Sequence, residues 1–91
     1  MRPRKYKYKT SAFNRWFAGI VDDLARKGIT KKEIADAIGV GVDVVRLYCY
    51  RMQPAKNTMW IPICDGLESL GVGRFADLYR EIEMMHRGVY V

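Results

Sequence analysis

Basic side chains are the residues of this sequence with the clearest chemistry to offer a partner. The 91 residues hold 16 Lys and Arg against 10 Asp and Glu, a formal net charge of +6. From Ser11 to Lys56 there are eight basic and five acidic residues, and from Asn57 to Val91 there are three and five. Five more basic residues stand within the first ten positions, without any acidic residue: Arg2, Arg4, Lys5, Lys7 and Lys9. This gradient predicts an anionic partner, most simply nucleic acid, at the N-terminal part of the chain.

Other reactive side chains do not combine into a recognisable site. Cys49 and Cys64 are fifteen positions apart and His86 is the single histidine, which is unlike the ligand spacing of a zinc site. Residues 39–41 and 71–73 both read Gly-Val-Gly, but each lacks the third glycine and the preceding strand of a phosphate-binding loop. No Ser/His/Asp or Cys/His arrangement is found. We therefore expect no metal, no cofactor, no small-molecule ligand and no enzymatic activity.

Length and composition predict one small domain. Two separate cores in 91 residues would each be too small to offset the entropy of the chain. The hydrophobic share of 49% excludes a wholly disordered chain, and no apolar run is long enough to cross a membrane. Two cysteines without a signal-peptide-like start favour a reduced, cytoplasmic protein. We divide the chain into a flexible basic arm (1–11), a folded domain (12–86) and a tail (87–91).

Helical periodicity predicts the first element that must position these side chains. Thr10 or Ser11 is expected to cap a helix over about 12–27, and Gly28 to end it in the left-handed conformation. The apolar face of this helix consists of Phe13, Trp16, Phe17, Ile20, Val21, Leu24 and Ala25. We expect Trp16 and Phe17 to be core residues.

Two short helices are predicted on either side of the turn 39–41. The segment 30–33, Thr-Lys-Lys-Glu, has the pattern of a capping box, in which the Thr and Glu side chains each accept a backbone N–H. Gly39 is expected to end this second helix after about two and a half turns. The third helix is predicted from Val42 to about Tyr50. The residues expected to pack these helices onto the core are Ile34, Ala35, Ile38, Val45 and Tyr48.

Two more helices and a tail complete the prediction of an all-α fold with five helices. After a loop at 53–57, a fourth helix is expected from near Trp60 to Gly71, and a fifth from about 73 to 86. The apolar residues at helical spacing in the fourth helix are Ile61, Cys64, Leu67 and Leu70. Those in the fifth are Phe75, Leu78, Tyr79, Ile82 and Met85, and its acidic residues Asp77, Glu81 and Glu83 are expected to be solvated. Met84, Met85 and the apolar end 89–91 either fold over the core or contact a second copy of the chain, and we favour a homodimer.

Two short helices joined by a tight turn that contains Gly form a helix-turn-helix, which places its second helix in the major groove of DNA. The segment 30–40, TKKEIADAIGV, together with Leu70-Gly71-Val72 and the following residues 75–78, resembles the lambda repressor-like (Cro/repressor-type) domains of bacteria and their phages. The resemblance covers about residues 13–79. It implies a five-helix bundle that binds double-stranded operator DNA as a two-fold dimer and regulates transcription. A phage or prophage regulator of similar size is the nearest comparison.

The resemblance also implies which residues face the groove, namely Gly41, Val42, Asp43, Arg46, Leu47 and Tyr50. Arg46 is expected to reach a guanine, Val42 or Leu47 a thymine methyl group, and Asp43 a cytosine amine or Arg46 itself. Family members usually start this helix with short polar residues such as Ser or Gln and carry Trp where Tyr48 stands. Because this face holds few base-reading side chains, DNA shape is expected to contribute to specificity.

Phosphate contacts are expected on both sides of the third helix. Lys31 stands where the family usually has a phosphate-contacting Gln, and both Lys31 and Lys32 lie at the positive end of the second helix. Beyond the third helix, the expected backbone contacts are Arg51, Gln53 and Lys56. In the arm, Arg2 and Arg4 are expected in the minor groove and Lys5, Lys7 and Lys9 on the backbone.

Two other functions remain open at the level of sequence. The apolar surface formed by Val42, Leu47 and Tyr50 fits a small interaction protein that docks into a groove of another protein. An architectural DNA-binding factor is compatible with the same fold. The sequence does not distinguish a repressor from an activator.

Overall fold

The computed structural model describes residues 11–87, which contain five α-helices. They are α1 (Ala12–Arg26), α2 (Lys31–Ile38), α3 (Val42–Tyr50), α4 (Trp60–Ser69) and α5 (Phe75–His86), and no strand occurs between Ser11 and Arg87. The predicted all-helical fold is confirmed, with helix ends within about two residues of those expected. Residues 1–10, which make up almost all of the predicted arm, and the end 88–91 lie outside the described residues.

Helix α1 begins at a capping box and ends at a glycine. Ser11 Oγ accepts a hydrogen bond from the backbone N–H of Asn14 at 3.1 Å, and Asn14 Oδ1 accepts one from the N–H of Ser11 at 3.1 Å. Gly28 adopts φ of 88°, as predicted. Trp16, expected in the core, is half-buried and packs against its edge, and its indole Nε1 donates to Glu81 Oε1 at 2.8 Å. Glu81 is therefore held at the contact between α1 and α5 and is not simply solvated.

The core joins α1 to α3 through aromatic rings. Tyr48 of α3 is 2% exposed and meets Phe13 and Phe17 of α1 edge-on, with ring centroids 5.7 Å apart in both pairs. Edge-to-face packing of this kind adds about 0.5–1.5 kcal/mol to the burial of the rings themselves. The predictions that Phe17 and Tyr48 lie in the core are confirmed.

The rotation of α4 differs from the predicted apolar face. Ile61 is 60% exposed, whereas Trp60 and Ile63 are buried together with Cys64 and Leu67. The cause is a close approach to α2, because a Cβ atom added to Gly66 would lie 2.8 Å from the carbonyl oxygen of Ala37. The side of α4 that carries Gly66 must therefore face α2, which directs Ile61 outward.

Helix α5 closes the bundle and carries a cap from α4. The backbone N–H of Phe75 donates to Glu68 Oε2 at 3.0 Å. A side chain from the preceding helix thus bonds one of the free N–H groups in the first turn of α5. Met85 is buried in the core and Met84 is half-buried. Of the two expectations for this end of the chain, Met85 follows the one in which it covers the core.

Trp60 is a core residue. From the sequence, its position next to a loop and Pro62 fits either the core or a surface for a partner. It is 2% exposed, its Nε1 donates to the carbonyl oxygen of Pro54 at 3.3 Å, and its ring centroid lies 5.4 Å from that of Tyr79.

Within residues 11–87, no helix has the length and apolar character needed to cross a membrane. The same part of the chain contains no group of His, Cys, Asp or Glu residues that could hold a metal ion.

Candidate nucleic-acid interface

The segment from Thr30 to Tyr50 folds as two short helices around a tight turn. Thr30 Oγ1 accepts from the N–H of Glu33 at 3.2 Å and Glu33 Oε1 accepts from the N–H of Thr30 at 2.9 Å, which confirms the predicted capping box. At the other end, Gly39 adopts φ of 91° and the N–H groups of Gly39 and Val40 both donate to the carbonyl oxygen of Ala35. A left-handed residue reverses the chain here at no steric cost only because it is glycine. The chain therefore enters α3 after the three-residue turn 39–41.

Helix α3 has one buried face and one exposed face. The buried residues Val45, Tyr48 and Cys49 hold it against the core. On the opposite face, four of the five residues predicted to read bases follow the i, i+3, i+4, i+7 spacing that places them in one stripe: Asp43, Arg46, Leu47 and Tyr50. Asp43, Arg46 and Tyr50 are exposed and Leu47 is half-buried. We call these four residues the α3 stripe.

Val42, the fifth predicted base-reading residue, lies outside the α3 stripe. It is half-buried and packs against the core, since it stands three and seven positions before the buried Val45 and Cys49 and so lies on their side of α3. Asp43 and Arg46 are both exposed, and no ion pair joins them within the described part of the chain. Both side chains therefore remain open to a partner.

The two lysines of α2 differ in their surroundings. Lys32 Nζ lies 3.5 Å from Asp36 Oδ2 one turn along the helix, in an exposed pair that contributes little to stability. Lys31 is exposed at the start of the helix, and its charge acts on Cys49 of α3, where it partly offsets the rise in the pKa of that thiol caused by burial. Lys31 thus lies at the N-terminal end of α2 with its residue exposed to solvent.

The residues after α3 form the second basic part of this surface. Arg51 terminates the helix, and Gln53 and Lys56 follow in an exposed loop. Lys56 Nζ lies 5.5 Å from the centroid of the Trp60 ring, within the range of a cation–π contact. The ammonium group of Lys56 is thus positioned by the core while its residue stays exposed.

Asn14 is a residue of this region that the sequence patterns did not indicate. It is 1% exposed, and its Nδ2 donates to the carbonyl oxygen of Tyr48 at 2.7 Å and to that of Met52 at 3.0 Å. The spacing of Ser11 and Asn14 resembles a capping box, but Asn is not the usual third residue of one, so the pattern gave no clear signal. Its contacts with α3 span more than thirty positions and have no sequence signature.

The two cysteines are buried and their thiols are held in the protonated form. Burial raises the pKa of Cys64 to about 11 and also raises the pKa of Cys49. A thiol that stays protonated is a poor nucleophile and a poor metal ligand. Cys49 lies on the buried face of α3, on the opposite side of the helix from the α3 stripe.

Comparisons of this chain with protein-family models, with curated proteins and with solved structures found no match. The resemblance to lambda repressor-like domains therefore stays a prediction from the residues of the segment 30–40 and the junction 70–78. The physical basis for assigning a function is the geometry of α2, the turn and α3.

Proposed function

We propose that this protein is a sequence-specific DNA-binding regulator of transcription, with α3 lying in the major groove of double-stranded DNA. The observation that carries the proposal is the α3 stripe, which is turned away from the face that locks α3 to α1. An α-helix with its side chains is about 10–12 Å in diameter, which fits the roughly 12 Å width of the major groove. The short α2 and the three-residue turn before α3 support the proposal, because a helix-turn-helix joins two short helices by such a turn.

The α3 stripe offers one strong base-reading group and several weaker ones. Arg46 presents a guanidinium fork that matches the O6 and N7 acceptors of guanine, a contact worth about 1–3 kcal/mol of discrimination. Leu47 suits a thymine methyl group, and Asp43 accepts from a cytosine amine. Tyr50 is 49% exposed at the far end of the stripe. The small number of polar readers fits a site at which DNA shape adds to specificity.

Phosphate groups are contacted on both sides of the stripe in this proposal. At the start of α2, backbone N–H groups and the side chains of Lys31 and Lys32 favour an anion. Beyond α3, Arg51, Gln53 and Lys56 meet the opposite backbone, and the basic residues of the arm add to them. If about six to ten phosphates are neutralised, affinity falls by about three to five decades between 50 and 200 mM salt.

A two-fold dimer is part of the proposal. The longest extent of the described part of the chain, 37 Å, is comparable to one DNA turn of about 34 Å, so two copies can lie on neighbouring half-sites. Two α3 helices at that separation read half-sites on the same face of the duplex. A palindromic site with half-sites about 10 base pairs apart is the expected signature.

Selection from a randomised duplex pool, followed by titration of the enriched and a scrambled duplex, tests this function. We expect Arg46→Ala to weaken binding to the enriched duplex by about tenfold to a hundredfold and binding to the scrambled duplex far less. Lys31→Ala should weaken both about equally and reduce the salt slope by about one. Arg80→Ala, which removes an exposed positive charge from α5, is the matched control. It should change neither the affinity for the enriched duplex nor the affinity for the scrambled duplex.

Two results of that experiment would argue against the proposal. Equal loss on both duplexes for Arg46→Ala would remove it as a base reader. Salt-sensitive binding without any enriched sequence would instead indicate an architectural factor, which binds through the backbone and DNA deformability.

A protein-docking function is the second candidate, and exposed apolar residues favour it. Tyr50 is 49% exposed and Ile61 is 60% exposed, and the two lie at opposite ends of the loop between α3 and α4. Large exposed apolar side chains are costly in water and are common at protein interfaces. A partner that survives nuclease treatment in a pull-down and is lost with Leu47→Asp would favour this function. A partner lost on nuclease treatment alone would point back to DNA.

A further inference from the structure

Among the Asn, Gln, Ser, Thr, His and charged residues within 11–87, Asn14 is the only one that is buried. Burying an amide costs free energy unless its donors and acceptor are paired, so its partners indicate why it is there. Both N–H groups of Nδ2 are used, on the carbonyl oxygens of Tyr48 and Met52, and Oδ1 accepts the N–H of Ser11. The amide therefore links the start of α1 to the end of α3.

Helix α3 differs from α1, α2 and α4 in that no left-handed glycine follows it. Gly28, Gly39 and Gly71, which follow α1, α2 and α4, have φ of 88°, 91° and 82°. A left-handed glycine lets the chain fold back and satisfy the last carbonyl groups of a helix. Helix α3 instead ends at Arg51, whose φ is −151°.

One carbonyl group in the last turn of α3, that of Tyr48, lacks its usual backbone partner. The N–H groups of Arg51 and Met52 both donate to the carbonyl oxygen of Leu47, at 2.9 Å each. In a continuing helix the N–H of Met52 would instead bond the carbonyl oxygen of Tyr48. Asn14 Nδ2 donates to that oxygen at 2.7 Å, and so supplies from α1 the cap that the sequence of α3 lacks.

We infer that Asn14 is a positioning residue that fixes the C-terminal end of α3, and with it the loop 51–56, against the start of α1. By this role Asn14 sets the angle at which the α3 stripe meets the bases, a consequence that rests on the proposed function. Asn14 touches no DNA in this arrangement. It acts through the carbonyl groups of Tyr48 and Met52.

The same amide also determines where the basic arm joins the domain. Asn14 Oδ1 accepts the N–H of Ser11, the last residue of the predicted arm, at 3.1 Å. From Ser11 back to Arg2 the extended chain spans at most about 30 Å. The backbone of the arm therefore stays within about 30 Å of Ser11.

Two variants of Asn14 and one control separate positioning from general stability. Asn14→Ala removes the whole amide, and Asn14→Asp keeps its size and the acceptor for Ser11 while removing both donors. Ser11→Ala is the matched control, because it weakens the cap of α1 and leaves the bonds from Asn14 to α3 in place. If Asn14→Asp does not fold, Asn14→Ala alone decides, because Ala at this position suits a helix and leaves room for water.

Amide hydrogen exchange provides the readout that does not depend on DNA. In both Asn14 variants we expect exchange at the amides of Arg51 and Met52 to accelerate by about tenfold or more relative to Ser11→Ala, under conditions where all are folded. In binding, we expect the affinity ratio between the enriched and scrambled duplexes to fall by about tenfold for the Asn14 variants, comparable to misplacing one bidentate contact. Ser11→Ala should leave that ratio within about twofold of the wild type.

The outcomes of this experiment distinguish the two proposals. If Asn14→Ala lowers only the melting temperature, with local exchange and the affinity ratio like those of Ser11→Ala, Asn14 is not a positioning residue. If the wild-type protein shows no preference between the duplexes, the proposed function fails, and the exchange at Arg51 and Met52 still decides whether Asn14 holds the end of α3.

Discussion

The contact between α2 and α4 at Gly66 leads to a prediction about stability. In Gly66→Ala, the new Cβ would lie 2.8 Å from the carbonyl oxygen and 2.9 Å from the carbonyl carbon of Ala37, and 2.9 Å from Ile38 Cγ1. Two of these three atoms belong to the backbone of α2, so the strain is relieved only if the last turn of α2 moves away from α4. That displacement would also shift the turn that leads into α3.

The magnitude is set by two opposing effects. Overpacking a filled interior costs about 1–3 kcal/mol, and the backbone contacts place Gly66→Ala near the upper end. Alanine is favoured over glycine within a helix by about 1 kcal/mol, which offsets part of this cost. The net loss of about 2 kcal/mol in the free energy of unfolding corresponds to a fall in melting temperature of about 8–16 °C for a domain of this size.

Thermal and urea unfolding of Gly66→Ala beside Gly19→Ala provides the assay. Gly19 lies in α1 with no atom within 4 Å of an added Cβ, so the same substitution there should stabilise the protein by about 0.5–1 kcal/mol. The two alanine variants are thus expected to move the melting temperature in opposite directions. A Gly66→Ala protein as stable as the wild type would refute the reasoning that α4 is oriented by this contact.

Two predictions concern titratable groups. Because burial raises the pKa of Cys64 to about 11 from an ordinary value of 9.0, the folded protein should gain stability from the neutral thiol below pH 9 and lose it as the pH rises from 9 to about 11. Thiol labelling near pH 8 should accordingly be slow when folded and fast in urea, and equal rates in the two states would contradict the burial of both cysteines. The side chain of His86 stays exposed overall, but its contact with the Trp60 ring removes part of its hydration and lowers its pKa below 6.5, so its contribution to stability should be present above pH 6.5 and be lost as the pH falls below it. The fall in melting temperature between pH 7.5 and 5.5 should be smaller in His86→Gln, and an unchanged pH dependence in that variant would rule out this origin.

Much of the fold could be predicted because local signals and the final packing agree. The apolar residues of α1 recur on one face, the Thr30 and Glu33 side chains mark the start of α2, and Gly39 marks its end. Each of these signals acts over one or two turns of chain, within the range that a sequence pattern records. The α3 stripe results from the same helical spacing once the ends of α3 are known.

The rest depended on contacts between distant residues. At the start of α4, Trp60, Ile61 and Ile63 are all apolar, so periodicity alone could not select the buried face, and the approach of Gly66 to α2 selected it. Asn14 reads as an ordinary polar residue near a helix start, because its partners on α3 lie 34 and 38 positions away.

The central claim is that the α3 stripe contacts DNA, and backbone amide chemical shifts measured while the enriched duplex is added test it most directly. We predict the largest shift changes within residues 43–50 and at Lys31 and Lys32, with little change along the exposed side of α5. Large changes confined to α5, with α3 unaffected at saturating duplex, would contradict the claim.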